Sequence, residues 1–230
     1  MSKKQAKQSL SKGVSLITLT DPTSPISEQF RTIRTNIQFA SSSDQRLQTM
    51  VITSSGPGEG KSTTAANLAI VFATSGQRVL LVDADLRKPI VFKTFQLKND
   101  QGLSTLLSRQ QNVMEAIQTT GIANLSVLTS GPKPPNPSEL LGSVRMNQVL
   151  SELKGLYDII IFDMPPIVNV TDAQIMASKV DGTLLVIREN VTNKEAVLKA
   201  TDLLKLVNAR ILGTVYNGAE KSKDQGYQYY

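Results

Sequence analysis

The 230-residue chain contains no cysteine and no histidine, and only 5% of its residues are aromatic. The missing cysteines exclude disulfides, thiolate nucleophiles and cysteine metal sites, and they fit a reducing compartment. The missing histidines exclude imidazole zinc sites and every mechanism that needs a histidine base. Any catalysis therefore has to use carboxylates, lysine, arginine, hydroxyls and a hard cation.

Long apolar runs are also missing. Segments such as 159–162 are far shorter than the roughly 20 apolar residues that a membrane-spanning helix needs. No apolar stretch follows the N-terminal lysines, so a secretory signal is not indicated. With 40% hydrophobic residues, the composition is typical of a soluble globular protein, and we expect a cytoplasmic one.

Positive charge is in excess, with a formal net charge of +6. Four lysines and no acidic residue fall within the first twelve positions: Lys3, Lys4, Lys7 and Lys12. A solvated tail is the simpler interpretation, and a weak contact with an anionic membrane surface or an acidic partner is the alternative. Because no aromatic residue lies among these lysines, we expect no nucleic-acid partner.

Apolar strand patterns alternate with helical patterns along most of the chain. Strands are expected at 49–53, 78–83, 125–128, 158–163, 183–187 and 211–216. Helices are expected at 25–40, 62–74, 103–107, 113–118, 138–153, 172–179 and 194–206. This alternation predicts an α/β fold of the P-loop NTPase type, a doubly wound and mostly parallel sheet with helices on both faces. We expect a basic flexible arm over 1–24, one domain over 25–218 and a flexible tail over 219–230.

A glycine-rich sequence, SGPGEGKS at 55–62, lies between a predicted strand and a predicted helix, which is the context of a Walker A phosphate-binding loop. Its glycines allow backbone N–H groups to point at the phosphates, and the following helix adds its positive dipole end. Lys61 is expected to reach the β- and γ-phosphates of ATP, and Ser62 to offer its hydroxyl to Mg²⁺. The expected nucleotide-binding residues are Gly56, Pro57, Gly58, Glu59, Gly60, Lys61, Ser62, Thr63 and Asn217. Asn217 follows the last strand, where it suits the adenine edge, although a turn residue before Gly218 explains it equally well.

Two more strands end in aspartates. Asp83 ends the run VLLVD and is followed by Asp85, and Asp163 ends the run IIIFD. Ligands of open parallel sheets bind at the carboxyl edge of the strands, so these side chains should converge beside the phosphates. Mg²⁺ accepts carboxylate, hydroxyl and water oxygens. We therefore expect Ser62, Asp85 and Asp163 to hold Mg²⁺, directly or through water.

The Walker A loop, the Asp83-x-Asp85-x-Arg87 strand end and the Asp163-x-Pro165-Pro166 strand end together resemble the bacterial tyrosine kinase family. These are the short cytoplasmic kinases of capsule and exopolysaccharide operons. The resemblance extends from about residue 25 to the end of the chain, and 134–141 is similar to a loop and helix of the family.

Two further motifs carry the resemblance. Glu28-x-x-Arg31-x-x-Arg34 is similar to the family's oligomerisation motif, although a charged solvent face explains it without the family. The C-terminal cluster of tyrosines resembles the family's autophosphorylation site: Tyr227, Tyr229 and Tyr230.

The resemblance implies an ATP-dependent tyrosine autokinase that regulates capsular or exopolysaccharide synthesis and export. It would transfer the γ-phosphoryl group of ATP to tail tyrosines, mainly between subunits. The implied catalytic residues are Lys61, Asp83, Asp85 and Asp163. Asp83 is the candidate to accept the tyrosine proton, and because a carboxylate pKa near 4 matches a phenol poorly, we expect it to orient the hydroxyl more than to deprotonate it.

The same resemblance implies partners and a location. A homo-oligomer, in the form of a ring, is expected. The implied partners are the cytoplasmic segment of a transmembrane polysaccharide co-polymerase, which activates the kinase, and a cognate phosphotyrosine phosphatase. The kinase would be recruited to the inner face of the cell membrane through the first of these partners.

Two other functions are compatible with the nucleotide site. One is a non-kinase ATPase switch of the cell-division or partitioning type, and the other is an interaction subunit that binds nucleotide structurally. The cell-division and partitioning ATPases carry an extra lysine five positions before the Walker lysine, where this chain has Gly56. That difference weakens the ATPase-switch hypothesis.

Overall fold

Seven strands form a single sheet in the structure, a computed structural model that describes residues 13–40, 47–109 and 112–219. The strands are β1 (Thr49–Ser54), β2 (Val79–Asp83), β3 (Ile117–Thr119), β4 (Leu125–Leu128), β5 (Ile159–Asp163), β6 (Gly182–Arg188) and β7 (Ile211–Asn217). Their order across the sheet is β3-β4-β2-β5-β1-β6-β7. All neighbouring pairs are parallel except β3 and β4, which are antiparallel. The predicted α/β fold class is confirmed.

Ten helices are found in the described part of the chain. They are α1 (Ile17–Thr20), α2 (Pro25–Ala40), α3 (Lys61–Thr74), α4 (Val91–Thr94), α5 (Leu103–Ser108), α6 (Val113–Ala116), α7 (Pro137–Gly142), α8 (Val144–Leu156), α9 (Asp172–Ala177) and α10 (Lys194–Leu206). None of these helices has the length and apolar character that a membrane crossing requires.

The apolar strands lie between two hydrophobic clusters, one on each face of the sheet. In β5, Ile160 and Phe162 belong to one cluster, whereas Ile159 and Ile161 belong to the other. Successive side chains of a strand point to opposite faces, so a strand covered on both sides has to be apolar at every position. This explains why the central strands have continuous apolar sequences.

The register of the central strands determines where the acidic strand ends lie. Asp83 at the end of β2 is the direct partner of Asp163 at the end of β5. On its other side, β5 pairs with β1, with Asp163 beside Ile52. The loop after β1 and both aspartates are therefore brought to the same edge of the sheet.

Three expectations about local structure differ from what is observed. The helix expected over 138–153 is two helices, because Ser143 has an extended backbone and its hydroxyl accepts a hydrogen bond from Met146 N, which caps the start of α8. The helix expected over 113–118 ends at Ala116, and 117–119 pair with β4 as an edge strand. Residues 13–24, expected to belong to a flexible arm, include α1 and the buried Thr18. The domain boundaries remain a prediction, and residues 1–12 and 220–230 lie outside the described residues.

Candidate active site

The glycine-rich loop connects β1 to α3, and two of its glycines have a left-handed backbone. The φ angles are 77° at Gly58 and 97° at Gly60, a region that favours glycine. Gly60 is also restricted by space, since a Cβ atom there would lie 2.0 Å from the side-chain nitrogen of Asn217. A side chain at this last position before α3 would therefore strain the backbone and displace the amide of Asn217.

Three side chains hold the loop in place. The Glu59 carboxylate turns inward and accepts hydrogen bonds from the backbone N (2.9 Å) and the hydroxyl (2.8 Å) of Ser55. From the neighbouring strand ends, Asn217 Nδ2 donates to the Glu59 carbonyl at 3.0 Å, and Arg188 Nη1 donates to the Gly58 carbonyl at 2.9 Å. Contacts within the chain thus hold the loop in position, and the Glu59 carboxylate is used for these contacts. The sequence motif gave no signal for Arg188.

A cavity of about 590 Å³ opens beside the loop. Eight of the residues expected at the nucleotide or the metal line it: Pro57, Gly58, Gly60, Lys61, Ser62, Thr63, Asp85 and Asn217. The wall is completed by Pro166, from the Asp163-x-Pro165-Pro166 motif, and by residues without an expected role: Val14, Lys88, Ile90, Arg188 and Gly218. Gly56, Glu59, Asp83 and Asp163 do not line this cavity, and the last three are buried.

Lys61 links the loop to the acidic strand ends. Its Nζ lies 3.0 Å from Asp85 Oδ2 and 3.5 Å from Asp163 Oδ1, and it donates to the Ser62 hydroxyl at 3.2 Å. Burial by itself would lower the pKa of Lys61, but the nearby carboxylates of Asp163 and Asp85 outweigh it and raise the pKa. The ammonium is therefore protonated at neutral pH and lies between two carboxylates.

Asp83 is held at one oxygen. Its Oδ2 accepts hydrogen bonds from the backbone N–H groups of Ile90 (3.1 Å) and Val91 (2.9 Å), whereas Oδ1 has no hydrogen-bond partner. Burial raises the pKa of Asp83 to about 8, with a further increase from the charge of Asp163. The expectation of a carboxylate with a pKa near 4 is therefore wrong for this structure, because burial next to a second carboxylate disfavours the charged form.

Asp163 is also fully buried, and neither of its oxygens has a hydrogen bond of normal geometry. Burial raises its pKa, while Lys61 and the Ser62 hydroxyl act in the opposite direction. Two buried carboxyl groups and the adjacent Asp85 thus face a single ammonium group, so the cluster has more oxygen ligands than this one cation can satisfy.

This surplus of oxygen donors fits a divalent cation. Ser62, Asp85 and Asp163 provide a hydroxyl and two carboxylates, which are hard ligands of the kind that Mg²⁺ prefers. Over the described ranges, no three carboxylates are arranged as a complete metal cage. Mg²⁺ commonly keeps several waters and binds through one or two carboxylates plus phosphate oxygens, so the donors present fit it.

An ion pair that the sequence did not indicate anchors the loop after β2. Arg87 Nε and Nη2 donate to the two oxygens of Asp172 at 2.9 and 3.0 Å, and Asp172 is completely buried. The Ser138 hydroxyl donates to Asp172 Oδ1 at 2.6 Å and accepts from Arg87 Nη2 at 3.1 Å. Arg87 therefore ties the loop that carries Asp85 to the first turns of α7 and α9. Arg87 and Ser138 belong to segments that resemble the family, whereas Asp172 belongs to no recognisable motif.

The predicted oligomerisation residues lie together on α2. Glu28 and Arg31 form an ion pair, with side chains that are 65% and 37% exposed. Both arginines also donate to backbone carbonyls of their own chain, Arg31 Nη2 to Pro22 and Arg34 Nη1 to Val71 of α3 at 3.2 Å. Glu28 and Arg31 are nevertheless exposed enough to contact a neighbouring molecule. The predicted phosphorylation sites, Tyr227, Tyr229 and Tyr230, lie outside the described residues.

Comparisons with known proteins show the family to which the chain belongs. An AAA domain family model matches residues 47–211. The tyrosine-protein kinase YwqD of Bacillus subtilis is 50% identical over 94% of this chain and 90% of its own length. The putative tyrosine-protein kinase CapB of Staphylococcus aureus is 42% identical over 91% of each chain.

Solved structures give the same result. The kinase domain of the Escherichia coli tyrosine kinase ETK aligns with a TM-score of 0.86 and 32% identity, covering 99% of this chain and 89% of that chain. The septum site-determining protein MinD of Pyrococcus horikoshii, complexed with Mg-ADP, is more distant, with a TM-score of 0.65 and 25% identity over 77% of this chain and 72% of that chain. The similarity is therefore greater to the kinase domain than to the cell-division protein.

Proposed function

This chain belongs to the bacterial tyrosine kinases, and from that premise we propose how its site transfers phosphate. It is a tyrosine-protein kinase that uses ATP. ATP binds in the cavity beside the glycine-rich loop, and the γ-phosphoryl group moves to a tyrosine hydroxyl in the C-terminal tail of a neighbouring subunit. In this step the bond between Pγ and the bridging β–γ oxygen breaks, a bond from Pγ to the tyrosine Oη forms, ADP leaves, and the hydroxyl proton passes to Asp83 or to solvent.

One observation carries the proposal: Lys61, Ser62, Asp85 and Asp163 are gathered around one point at the edge of a phosphate-binding loop. Phosphoryl transfer requires mainly positioning and neutralisation of charge, with little covalent chemistry from the protein. The protonated Lys61 and the loop N–H groups would neutralise the phosphate oxygens. The inward-turned Glu59, together with Arg188 and Asn217, keeps the loop open for this purpose.

Mg²⁺ would be held by Ser62 and Asp85 at the cavity and by the buried Asp163. When bound, it supplies positive charge to the β- and γ-phosphate oxygens. Lys61 now occupies the space between Asp85 and Asp163, so it would exchange these carboxylates for phosphate oxygens when nucleotide enters.

Asp83 is proposed to receive or orient the tyrosine hydroxyl. Its Oδ2 is fixed by two backbone N–H groups, and its Oδ1 is left without a hydrogen-bond partner. Because Asp83 is fully buried, the acceptor hydroxyl has to enter deeply, between the strand ends, to meet this oxygen. Such a requirement would favour a flexible tail as the substrate over a residue on a folded surface.

Asn217 is proposed to read the adenine base. Its Nδ2 donates to the Glu59 carbonyl, which fixes the orientation of the amide and leaves the amide oxygen as the group for the base. An acceptor at this place would suit the 6-amino group of adenine and would oppose the 6-oxo group of guanine. Asn217 also lines the cavity.

The partners and the cellular role are proposed from family membership. We propose a homo-oligomer, of ring form, with Glu28 and Arg31 of α2 exposed for contacts with a neighbouring subunit. A cytoplasmic segment of a transmembrane polysaccharide co-polymerase would activate the kinase at the inner face of the membrane, and a phosphotyrosine phosphatase would reverse the reaction. The regulated process would be capsular or exopolysaccharide synthesis.

The test is phosphorylation of the tail in vitro. Wild type and Lys61→Met are incubated with ATP and Mg²⁺, with and without a candidate activator's cytoplasmic segment, and the C-terminal peptide is analysed by mass spectrometry. We expect phosphate on Tyr227, Tyr229 or Tyr230 in wild type and none in Lys61→Met. Lys199→Met, on the exposed face of α10, is the matched control and should behave as wild type.

The opposite result favours the alternative. An unmodified tail with steady ADP release in both activator conditions would indicate an ATPase switch of the type represented by MinD. Tail phosphorylation that survives in Lys61→Met would show that the glycine-rich loop is not the phosphoryl donor site.

A further inference from the structure

Residues 13–20, named here the N-terminal strap, cross α3, which carries Lys61 and Ser62, and α4, whose first N–H group binds Asp83. The strap comprises an extended segment and α1, and it packs against α3 on one side and α4 on the other. Val14 and Leu16 of the strap are half-buried against the hydrophobic cluster that contains Leu68 and Phe72. The segment is thus part of the folded domain.

One buried asparagine joins the strap to the start of α3. Asn67 Oδ1 accepts from Thr18 N (3.0 Å) and from the Thr18 hydroxyl (2.9 Å). Its Nδ2 donates to the Ser15 carbonyl and to the Thr63 carbonyl, both at 2.8 Å. Thr63 follows Lys61 and Ser62 and lines the cavity. A single side-chain amide therefore connects the strap to the first turn of the phosphate-binding helix.

The other end of the strap contacts α4. Val14 N donates to Thr94 Oγ1 at 3.1 Å, and the same hydroxyl donates to the Ile90 carbonyl at 3.0 Å. Gly13 lies so close to α4 that a Cβ atom would be 2.5 Å from Thr94 Cα. Ile90 lines the cavity, and its N–H binds Asp83. The strap therefore rests on the segment that positions Asp83.

Val14 itself forms part of the cavity wall, although it is distant in sequence from every other lining residue. A nucleotide in this cavity would contact the strap directly, through Val14, and also indirectly, through Thr63 and Ile90. When two elements pack against each other and contact the same ligand, their docking is coupled to ligand binding. The ligand then binds the protein with the strap docked better than with the strap undocked.

We propose that the N-terminal strap is a wall of the nucleotide site and that its docking is thermodynamically coupled to nucleotide binding. This inference rests on the proposed function, because it requires a nucleotide in the cavity. Coupling is reciprocal: nucleotide stabilises the docked strap, and loosening the strap weakens nucleotide binding by the same factor. A strap that only covers apolar surface would change the stability of the protein without responding to nucleotide.

The first test is hydrogen exchange of the full-length protein with and without ADP and Mg²⁺. The amides of Val14 and Thr18 are the reporters, because each donates to a side chain of the domain. We expect their exchange to slow by at least about fivefold at saturating nucleotide, the lower end of typical couplings. Unchanged exchange of the strap, at a nucleotide concentration shown by calorimetry to saturate the protein, would overturn the inference and leave the proposed function standing.

The second test loosens the strap and measures nucleotide affinity. Gly13→Ala places a methyl group against the backbone of Thr94, whereas the control Gly155→Ala, on α8, meets no atom within 4 Å. The dissociation constant for ADP with Mg²⁺ should rise by at least about fivefold in Gly13→Ala and stay at the wild-type value in Gly155→Ala. Thr18→Val, which removes the hydroxyl donor to Asn67, gives a second variant that keeps the shape of the strap.

The outcomes separate the two claims. Wild-type affinity in both strap variants would refute the coupling only. No measurable nucleotide binding by wild type and by Gly155→Ala would refute the coupling together with the proposed function.

Discussion

Two aspartates of this site lower the stability of the folded protein. Asp83 and Asp163 are register partners in the middle of a parallel sheet, and both are completely buried. Neither side chain has all of its oxygens hydrogen bonded, and one ammonium group, Lys61, lies beside them. Buried carboxylates without full compensation destabilise a protein, so their presence indicates selection for chemistry over stability.

Replacing Asp83 by Asn tests whether this residue serves the reaction at the expense of stability. We expect Asp83→Asn to abolish tail phosphorylation, leave nucleotide binding largely intact and keep or raise the melting temperature of the metal-free protein. The reason is that an amide retains an acceptor for Ile90 N and Val91 N and cannot ionise in the buried position next to Asp163. Thermal denaturation and mass spectrometry of the tail check the two effects. Asp100→Asn, at an exposed position, serves as the control, and undiminished phosphorylation in Asp83→Asn would refute the assigned role.

Replacing Asn217 by Ala tests the recognition of the base. The fixed amide predicts that wild type prefers ATP to GTP and that Asn217→Ala reduces this preference by several-fold to about tenfold, the value of one hydrogen bond. Competition binding of the two nucleotides measures the ratio. Asn147→Ala, at an exposed asparagine of α8, should keep the wild-type ratio. An unaltered ratio in Asn217→Ala would assign base recognition to another residue.

At the scale of elements, the site depends on contacts between segments that are distant in sequence. Arg87, in the loop after β2, binds Asp172 at the start of α9 and Ser138 at the start of α7. Asp181, which precedes β6, accepts from the backbone N–H groups of Gln48 and Thr49 and pairs with Lys154 of α8. The contacts of Arg87 fix the loop that carries Asp85, and the contacts of Asp181 align the starts of β1 and β6.

A double-mutant cycle measures the contact of Arg87 with Asp172. Arg87→Ala leaves a buried carboxylate with one hydroxyl donor, Ser138, and we expect a loss of about 2 to 3 kcal/mol in the free energy of unfolding. This is below the range for a completely buried pair, because the Arg87 side chain is 35% exposed. The double variant Arg87→Ala/Asp172→Ala should lose less than the sum of the single losses. Additive losses in urea denaturation would show that the two residues do not interact.

The same loop predicts a kinetic effect. Arg87→Lys keeps the charge but loses the two-pronged contact, so the position of Asp85 should become less defined. We expect a lower kcat and a higher requirement for Mg²⁺, at a nearly unchanged melting temperature. Titration of kinase activity with Mg²⁺ checks this result, and a wild-type Mg²⁺ requirement would limit Arg87 to a structural role.

Asp181 predicts how stability depends on pH. Burial would raise the pKa of Asp181, but hydrogen bonds from the Thr49 hydroxyl, the Thr49 and Gln48 N–H groups and Lys154 outweigh it and lower the pKa below 3.8. The carboxylate therefore stabilises the fold at pH values above about 4, and this contribution is lost as the pH falls through its folded pKa. Asp181→Asn should cost about 1 to 3 kcal/mol at pH 7 and progressively less towards pH 3, as measured by urea denaturation. A difference independent of pH would contradict this account.

At the scale of the whole molecule, the sequence predicts correctly those features that depend on a local pattern of residues. Helix α2 and helix α10 have the bounds that apolar periodicity and flanking residues indicate, and the Walker A loop lies where its motif places it. The sequence predicts one helix over 138–153 because serine is compatible with a helix interior. The break between α7 and α8 depends on the hydrogen bond by which Ser143 caps α8. The Arg87–Asp172 pair and the raised pKa of Asp83 depend on contacts across the sheet, which no local pattern encodes.

The C-terminal tyrosines predict a change of assembly. Each phosphate adds about 1.5 to 2 negative charges at neutral pH, so three on every tail would make gathered subunits repel one another. We expect wild type to dissociate when it is incubated with ATP and Mg²⁺ under activating conditions, and the variant with Phe at 227, 229 and 230 to stay assembled. Sedimentation velocity before and after the incubation measures both species, at two salt concentrations because high salt weakens such repulsion.

Two controls make the assembly result specific to the tail. Tyr157→Phe changes a tyrosine of the folded domain and should dissociate as wild type does, whereas Lys61→Met should stay assembled because it cannot phosphorylate the tail. Arg31→Ala, at the exposed pair with Glu28, should be dissociated before ATP is added if α2 forms the interface. Dissociation of the triple Phe variant at the wild-type rate would mean that nucleotide turnover, and not tail charge, separates the subunits.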